Sequence, residues 1–158
     1  MRKAMAFERG IDLIGKKILV ELATDGRLPF AELGRKVGLS PSAAAERVRQ
    51  LESLGFIRGY RAEIDLKALG YSITAFVRLT CEGNRYGQFL KFLPTLQSVL
   101  ECHHLTGGDA FLLKVMLSSV GEMEGLIESL LPYGSPTTSI VLSTPLERKP
   151  EAAFLKNI

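Results

Sequence analysis

The residues best equipped for chemistry are four arginines within one short stretch. Arg47 and Arg49 lie inside a helical pattern, and Arg58 and Arg61 follow it. An arginine in the middle of an exposed helix face can donate two parallel hydrogen bonds to guanine, which makes Arg47 the candidate base reader. Arg49, nearer the packing edge, suits a phosphate or an acidic neighbour. Arg58 and Arg61 flank a bend and suit the phosphate backbone.

The helix that positions Arg47 is bounded at both ends. Ser40 can cap its first turn, Pro41 suits the first helical position, and Gly55 suits a left-handed end. Helical spacing predicts a packing face of Ala44, Val48, Leu51 and Leu54. The remaining surface carries Ser42, Ala43, Glu46, Arg47, Arg49, Gln50 and Ser53.

Two shorter patterns precede this helix. Residues 11–22 predict a first helix, whose inner face carries Ile14, Ile18 and Leu22. Residues 30–37 predict a second helix, whose inner face carries Phe30, Leu33 and Val37. The tight step from Gly38 to Ser40 then predicts a helix-turn-helix unit, in which the third helix enters a major groove. Residues 56–64 predict a basic hairpin, or wing, about Gly59.

The second half of the chain changes period. The predicted order is strand, helix, strand, strand, helix, strand, at 72–81, 84–93, 99–105, 111–117, 120–131 and 137–143. This is the split β-α-β-β-α-β order of ferredoxin-like domains, with helices on one face of the sheet. Small and apolar residues also occupy the other face, so we expect a second copy to cover it and form a homodimer.

Composition supports a nucleic-acid partner only weakly. The 158 residues carry a formal net charge of +3, and the surplus of Lys and Arg lies in residues 1–70. The first eight residues lack the apolar core of a secretory signal, and no apolar run approaches the thickness of a bilayer, so we expect a cytoplasmic protein. Two cysteines in a chain of this length do not predict a disulfide framework.

Residues of metal-ligating types cluster on the second predicted strand. Cys102, His103 and His104 are consecutive, and Cys81 offers a fourth ligand. The group lacks the paired short spacing of zinc sites, and adjacent residues on a strand point to opposite faces. Packing within a strand and exposure of polar side chains explain these residues better than a metal site does, so we expect neither a metal nor a cofactor.

A series of short motifs extends from residue 11 to 142. They are Ile11-Asp12, Asp25-Gly26-Arg27, Glu32-Leu33, Gly38-Leu39-Ser40, Arg47-Val48, Leu51-Glu52, Gly55-Phe56-Ile57, Gly59-Tyr60, Leu69-Gly70, Thr106-Gly107, Thr138 and Ile140-Val141-Leu142. No single motif is specific, but in their shared order and spacing the chain resembles the Lrp/AsnC (feast/famine) transcription regulators.

The resemblance implies a DNA-binding regulator of amino-acid metabolism genes. Similar proteins bind imperfect palindromes as dimers that assemble into tetramers, octamers or hexadecamers, and an amino acid bound between C-terminal domains shifts assembly and DNA affinity. Matching positions imply that the DNA-facing residues are Ser40, Ser42, Ala43, Ala44, Arg47 and Gln50, with Arg58 and Arg61 on the backbone.

The resemblance also implies an effector site. Thr106, Gly107, Gly108 and Asp109 resemble the family's glycine loop, whose backbone donors receive a ligand carboxylate, and Thr138 is the matching hydroxyl. A tight hairpin with two glycines would look the same without a ligand. Many members carry an acid at the position of Ala110, and here the acid stands at Asp109, which points to a different ligand or to none.

Other departures fall in the helices. Gly15 stands where an acid is common, and Pro29 replaces the usual hydroxyl cap of the second helix. Gly15 and Gly34 each cost a helix about 1 kcal/mol relative to Ala, which predicts a less rigid N-terminal domain.

The sequence therefore predicts an α+β protein of two domains. A winged helix-turn-helix spans 1–61, a linker 62–71, a ferredoxin-like ligand-binding and oligomerisation domain 72–145, and a tail 146–158. One alternative is an architectural DNA-packing protein without an effector. Another is an enzyme similar to siroheme decarboxylases, which share the fold. Those proteins would show paired arginines in the wing, whereas Ile57-Arg58-Gly59-Tyr60 has one.

Overall fold

The computed structural model describes residues 11–81, 83–107, 111–146 and 153. The chain divides into two compact units, one containing the residues up to Glu63 and the other spanning Ile64–Pro145. The predicted linker at 62–71 falls across this division. Each unit is described by itself below.

The first unit contains three helices: α1 spans Leu13–Thr24, α2 spans Phe30–Val37 and α3 spans Pro41–Ser53. Polar caps start α1 and α3, where the Asp12 carboxylate accepts from the Gly15 N–H at 2.8 Å and the Ser40 hydroxyl from the Ala43 N–H at 3.2 Å. Gly38 ends α2 in the left-handed region. The buried core consists of Ile18, Leu33, Val37, Ala44, Val48 and Leu51. The predicted helix-turn-helix is confirmed.

Gly34 sets the approach of α2 to the turn that follows it. A Cβ at this position would lie 2.5 Å from the Leu39 carbonyl oxygen and 3.2 Å from Ser40 backbone atoms. The Leu39 N–H also donates to the Gly34 carbonyl at 2.8 Å. The glycine therefore allows a backbone-to-backbone contact in the turn, a role that its helix propensity alone does not reveal.

The second unit is a four-stranded antiparallel sheet with two helices. Among the described residues the order is β1 Ile73–Cys81, α4 Tyr86–Phe92, β2 Val99–His104, β3 Phe111–Leu117, α5 Val120–Leu130 and β4 Gly134–Ile140. Short 3₁₀ turns follow α4 at Leu93–Thr95 and α5 at Leu131–Tyr133. The spatial order of the strands is β2-β3-β1-β4, with β2 and β4 at the edges. The predicted split β-α-β-β-α-β fold is confirmed.

One face of this sheet carries the core. Its fully buried strand residues alternate along β1 and β3, and α4 and α5 cover them with Phe89, Met123, Leu126 and Leu130. The strand contribution is Ala75, Val77, Leu79, Phe111, Leu113, Val115 and Leu117. Phe76, Leu112 and Met116 lie on the other face, where they are exposed or half-buried.

Four details of the sequence prediction are wrong. Phe30 and Leu54 were predicted to pack inward but are 46% and 40% exposed. Residues 56–64 form no strand pair, so the predicted hairpin of the wing is absent from this described segment. The last strand begins at Gly134 instead of 137, because β4 is an edge strand that accepts Pro136.

Membrane insertion of the helices can be addressed for the described part of the chain. None of the helices found there is both long enough and apolar enough to span a bilayer.

Candidate DNA-binding surface and effector site

The outward face of α3 is polar and exposed. It carries Ser42, Ala43, Glu46, Arg49 and Gln50. The hydroxyls of Ser40 and Ser42 lie 3.2 Å apart at the start of the helix. Hydroxyl and amide groups on one face suit base edges and phosphate oxygens.

Ala44 does not belong to this face. It was predicted both to pack inward and to contact DNA, but it has no exposed surface and lies in the core with Val48 and Leu51. The packing prediction is confirmed and the DNA-facing prediction is wrong, because Ala44 falls on the buried side of the helical period.

Arg47 is half-buried and is engaged at both ends of its guanidinium. Its Nη2 lies 2.5 Å from Asp12 Oδ1, and its Nη1 donates to Gln50 Oε1 at 2.5 Å. The hydrogen bond from Arg47, followed by that from the Gly15 N–H, holds the pKa of the Asp12 carboxyl below its ordinary value. Arg47 therefore links the start of α1 to the outer face of α3.

Arg49 is more exposed and has a different partner. Its guanidinium donates to Glu46 Oε2 at 2.7 and 3.2 Å within the same helix. Of the two partners that the sequence allowed, the structure shows the acidic neighbour. An exposed pair of this kind contributes little to stability, so the guanidinium can exchange Glu46 for a phosphate at small cost.

The segment after α3 carries exposed arginines on an irregular backbone. Arg58 and Arg61 are both exposed. Between them, Tyr60 donates its hydroxyl to Glu52 Oε1 of α3 at 3.1 Å. Partial burial, and then this hydrogen bond, raise the pKa of Tyr60 above its ordinary value. A contact from a tyrosine thus attaches the segment to α3 in place of strand pairing.

The predicted effector residues fall in two places. Thr106 and Gly107 are exposed at the end of β2, and Gly107 has a φ of 106°. Gly108, Asp109 and Ala110 lie outside the described residues. Thr138 lies on β4, which β1 separates from β3. Residue 138 lies opposite Val77 of β1, so its side chain is on the helix-covered face of the sheet. The hydroxyl oxygen of Thr138 is buried and has no hydrogen-bond partner among the described residues.

The cysteine and histidine residues do not form a metal cluster in the described part of the chain. Cys102 and His104 share the helix-covered face with Leu113 and Phe111, whereas His103 points away and lies 3.3 Å from Glu101 Oε2. Burial raises the pKa of the Cys102 thiol, which disfavours the thiolate that a metal requires.

Family models match both units. Residues 11–52 match the AsnC-type helix-turn-helix domain, and residues 74–151 match the Lrp/AsnC ligand binding domain. The first match extends from before α1 to the last but one residue of α3, and the second from the second residue of β1 to beyond β4.

Similar sequences extend over most of the chain. The HTH-type transcriptional regulator LrpC of Bacillus subtilis is 37% identical over 133 residues, which cover 84% of this chain and 92% of that protein. The leucine-responsive regulatory protein of Escherichia coli K12 is 37% identical over 127 residues, which cover 78% of this chain and 77% of that protein.

Solved structures agree with these matches. The structure of B. subtilis LrpC has a TM-score of 0.82 at 36% identity and covers 89% of this chain and 99% of its own. A transcriptional regulator of Neisseria meningitidis in complex with L-Met has a TM-score of 0.83 at 27% identity and covers 89% of this chain and 96% of its own.

Proposed function

Because this chain belongs to the Lrp/AsnC family of transcriptional regulators, we propose that it binds an imperfect DNA palindrome and that an amino acid modulates this binding. It is a regulator and not an enzyme, as one of its relatives is named a transcriptional regulator and the other a regulatory protein. The observation that carries the proposal is the outward face of α3, where exposed polar groups stand on a helix whose other side is the core.

On the DNA side, α3 lies in a major groove with its exposed face toward the bases. The residues that face the bases or the nearest phosphates are Ser40, Ser42, Ala43 and Gln50. Arg47 is half-buried and contacts Gln50. Arg58 and Arg61 contact the backbone beside the groove, where they add affinity that depends on salt but carries no sequence information. A two-fold pair of such units reads half-sites about one helical turn apart.

Assembly follows from the open face of the sheet. Phe76 is 37% exposed there, and Leu112 and Met116 are half-buried beside Lys114. An apolar centre with charged neighbours suits a second copy of the same face, and dimers of this kind form higher assemblies. Gel filtration of the full chain is expected to give a dimer or larger, and a monomer at micromolar concentration would exclude this arrangement.

The effector proposal rests on the sheet unit and on two relatives. The N. meningitidis regulator was solved with L-Met, and the E. coli relative is named leucine-responsive. Supporting evidence comes from the buried hydroxyl of Thr138, which has no hydrogen-bond partner among the residues that the structure describes, because leaving a buried polar group unpaired is costly. We propose that a ligand binds between C-terminal domains, where it contacts Thr138 of one copy and the loop formed by Thr106, Gly107, Gly108 and Asp109 of another.

The test of DNA reading compares duplexes at one salt concentration. The full chain is expected to bind DNA from upstream of its own gene at least about 1,000-fold more tightly than random duplex. Gln50→Ala should reduce this ratio, whereas Arg35→Ala, on the exposed side of α2, should not. Equal affinity for both duplexes would favour the architectural alternative, which has weak sequence preference.

The test of effector binding is a thermal-shift screen of the twenty amino acids. A ligand at 100 times its dissociation constant stabilises the protein by about 2.7 kcal/mol, which gives a clear rise in Tm. Thr138→Val, which keeps the side-chain shape and removes the hydroxyl, is expected to weaken the shift. No shift with any amino acid would contradict the proposed effector class.

A further inference from the structure

The two arginines of α3 are held differently. Arg49 is exposed, and its partner Glu46 lies on the same helix. Arg47 is half-buried, and its two terminal nitrogens contact Asp12, which precedes α1, and Gln50. An exposed pair within one helix is weak, so Arg49 can change partners readily. Arg47 would have to give up two contacts of its charged group at once, and such hydrogen bonds are the stronger kind.

The carboxylate of Asp12 is held in place by α1. Its Oδ1 accepts a hydrogen bond of 2.8 Å from the Gly15 N–H, which caps the helix. The dipole of a helix also favours a negative charge at this end. The hydrogen bond from Arg47, followed by that from Gly15, holds the pKa of the Asp12 carboxyl below its ordinary value. Arg47 therefore pairs with an acid that is already charged and already positioned.

Asp12 lies beside the surface that is proposed to contact DNA. It lines one shallow groove together with Ala43, Glu46 and Gln50, which are on the exposed face of α3. Opposite charges at Asp12 and Arg47 compensate each other at this edge of the face. α3 itself carries two arginines and two glutamates, so it adds no net positive charge. Binding that ignores sequence depends on positive charge near phosphates, and α3 contributes little to it.

We infer that Asp12 is a specificity-determining residue: by holding Arg47 away from phosphates, it lowers the affinity for random DNA more than the affinity for the palindrome. On random DNA a released guanidinium can turn to whichever phosphate is nearest, because phosphate contacts carry no sequence information. On the palindrome, base contacts fix the register of α3 and limit the phosphates within reach. Specificity is a difference of affinities, so weakening the wrong complex raises it. The inference rests on the proposed DNA-binding function.

The variant that releases Arg47 is Asp12→Ser. Serine caps a helix as well as aspartate does, so the cap on α1 is kept, while its neutral side chain cannot compensate the guanidinium. At 0.1 M salt the affinity for random duplex should rise roughly 3- to 10-fold for each protomer bound, and the slope of log K against log salt should steepen by about 0.9. The affinity for the palindrome should rise less. If Asp12 were only a structural cap, its loss would instead weaken binding to both duplexes or leave it unchanged.

Two further variants isolate the released charge. Glu21→Gln is the matched control: Glu21 pairs with Lys36 at 2.6 Å and so also joins α1 to a later helix, but to α2 instead of α3. It changes the net charge by the same amount and should leave the slope and the ratio of affinities unchanged. Combining Asp12→Ser with Arg47→Met removes the guanidinium as well, so the gain in affinity for random duplex should disappear.

The measurement uses the full-length protein and two duplexes of equal length and composition. One carries the sequence that the wild type selects from a random library, and the other is its scrambled version. Fluorescence anisotropy at several salt concentrations gives both affinities and both slopes. If the wild type does not distinguish the two duplexes, the proposed function fails.

The remaining outcomes concern Asp12 alone. If the wild type is selective but Asp12→Ser leaves the affinity for the scrambled duplex unchanged or lower, or raises both affinities equally, the inference is wrong and the regulator stands. A gain that survives Arg47→Met, or that Glu21→Gln reproduces, overturns it as well. Should Asp12→Ser fail to fold by circular dichroism, Asp12→Asn decides by the same criteria, because asparagine keeps the shape and the cap but removes the charge.

Discussion

In the helix-turn-helix unit the candidate side chains come from one helix, α3, whereas in the sheet unit they come from strands far apart in sequence. Ser42 and Gln50 share a face because the helix repeats every 3.6 residues. Thr138 faces the covered side of the sheet because β4 pairs with β1 in a register that joins Thr138 to Val77. Local period therefore determines the first surface, and long-range pairing the second.

The two cores differ in the same way. The described core of the first unit has six buried residues on three short helices, while that of the second has eleven on two strands, β1 and β3, and two helices. Substitutions in the two units should accordingly act through different mechanisms: cavities in the sheet core, and backbone approach and helix caps in the helix-turn-helix.

The largest effect is expected for Leu113→Ala in the centre of the sheet. Leu113 is fully buried, and its truncation should lower the free energy of unfolding by about 2–5 kcal/mol. Chemical denaturation followed by circular dichroism measures the loss. The control is Leu142→Ala, at a position 96% exposed, which should change stability by less than about 0.5 kcal/mol. Equal losses would mean that the sheet core does not carry the stability of its unit.

A smaller effect of the same sign is expected for Gly34→Ala. The new Cβ would meet the Leu39 carbonyl, which cannot move without displacing the turn, so a loss of about 1–3 kcal/mol is expected. Gly125→Ala in α5 is the matched control. Nothing lies within 4 Å of its Cβ position, so this substitution should raise the free energy of unfolding by about 0.5–1 kcal/mol. Thermal melts of the pair measure both signs, and a stabilised Gly34→Ala would show that α2 and the turn are loosely packed.

The smallest effect tests two equivalent caps. The hydroxyls of Ser40 and Ser119 each accept a hydrogen bond of 3.2 Å from the third residue of α3 and α5. Replacement of either by Ala should cost about 1 kcal/mol. Only Ser40→Ala should also weaken DNA binding, as measured by fluorescence anisotropy. A similar loss of DNA affinity in Ser119→Ala would remove the functional distinction between the two units.

Sequence patterns predict the secondary structure of this chain well where a periodic pattern repeats over many residues. The three helices of the first unit and the alternation of Ala75, Val77 and Leu79 in β1 follow directly from it. The start of β4 was missed because Gly134 and Pro136 are depleted in strands, and only the edge position of β4 explains them. The hairpin after α3 was predicted from a pattern too short to distinguish a strand from an irregular segment.

The candidate site is less predictable because its key contacts join distant residues. The pair between Asp12 and Arg47 connects two helices across 35 positions, and neither residue type nor spacing indicates it. Ala44 is small enough to suit either a core or a groove, so only its burial decides between them. The hydrogen bond from Tyr60 to Glu52 likewise depends on the path that the chain takes after α3.

The contact at Gly34 has a consequence for engineering. The approach of α2 to the start of α3 depends on main-chain atoms of Gly34, Leu39 and Ser40, and not on the side chains that face outward. Positions 42, 43 and 46 can therefore be randomised together without altering the support of the helix. A library built this way would vary DNA preference on a constant scaffold, provided that Gly34 and the Asp12 link remain untouched.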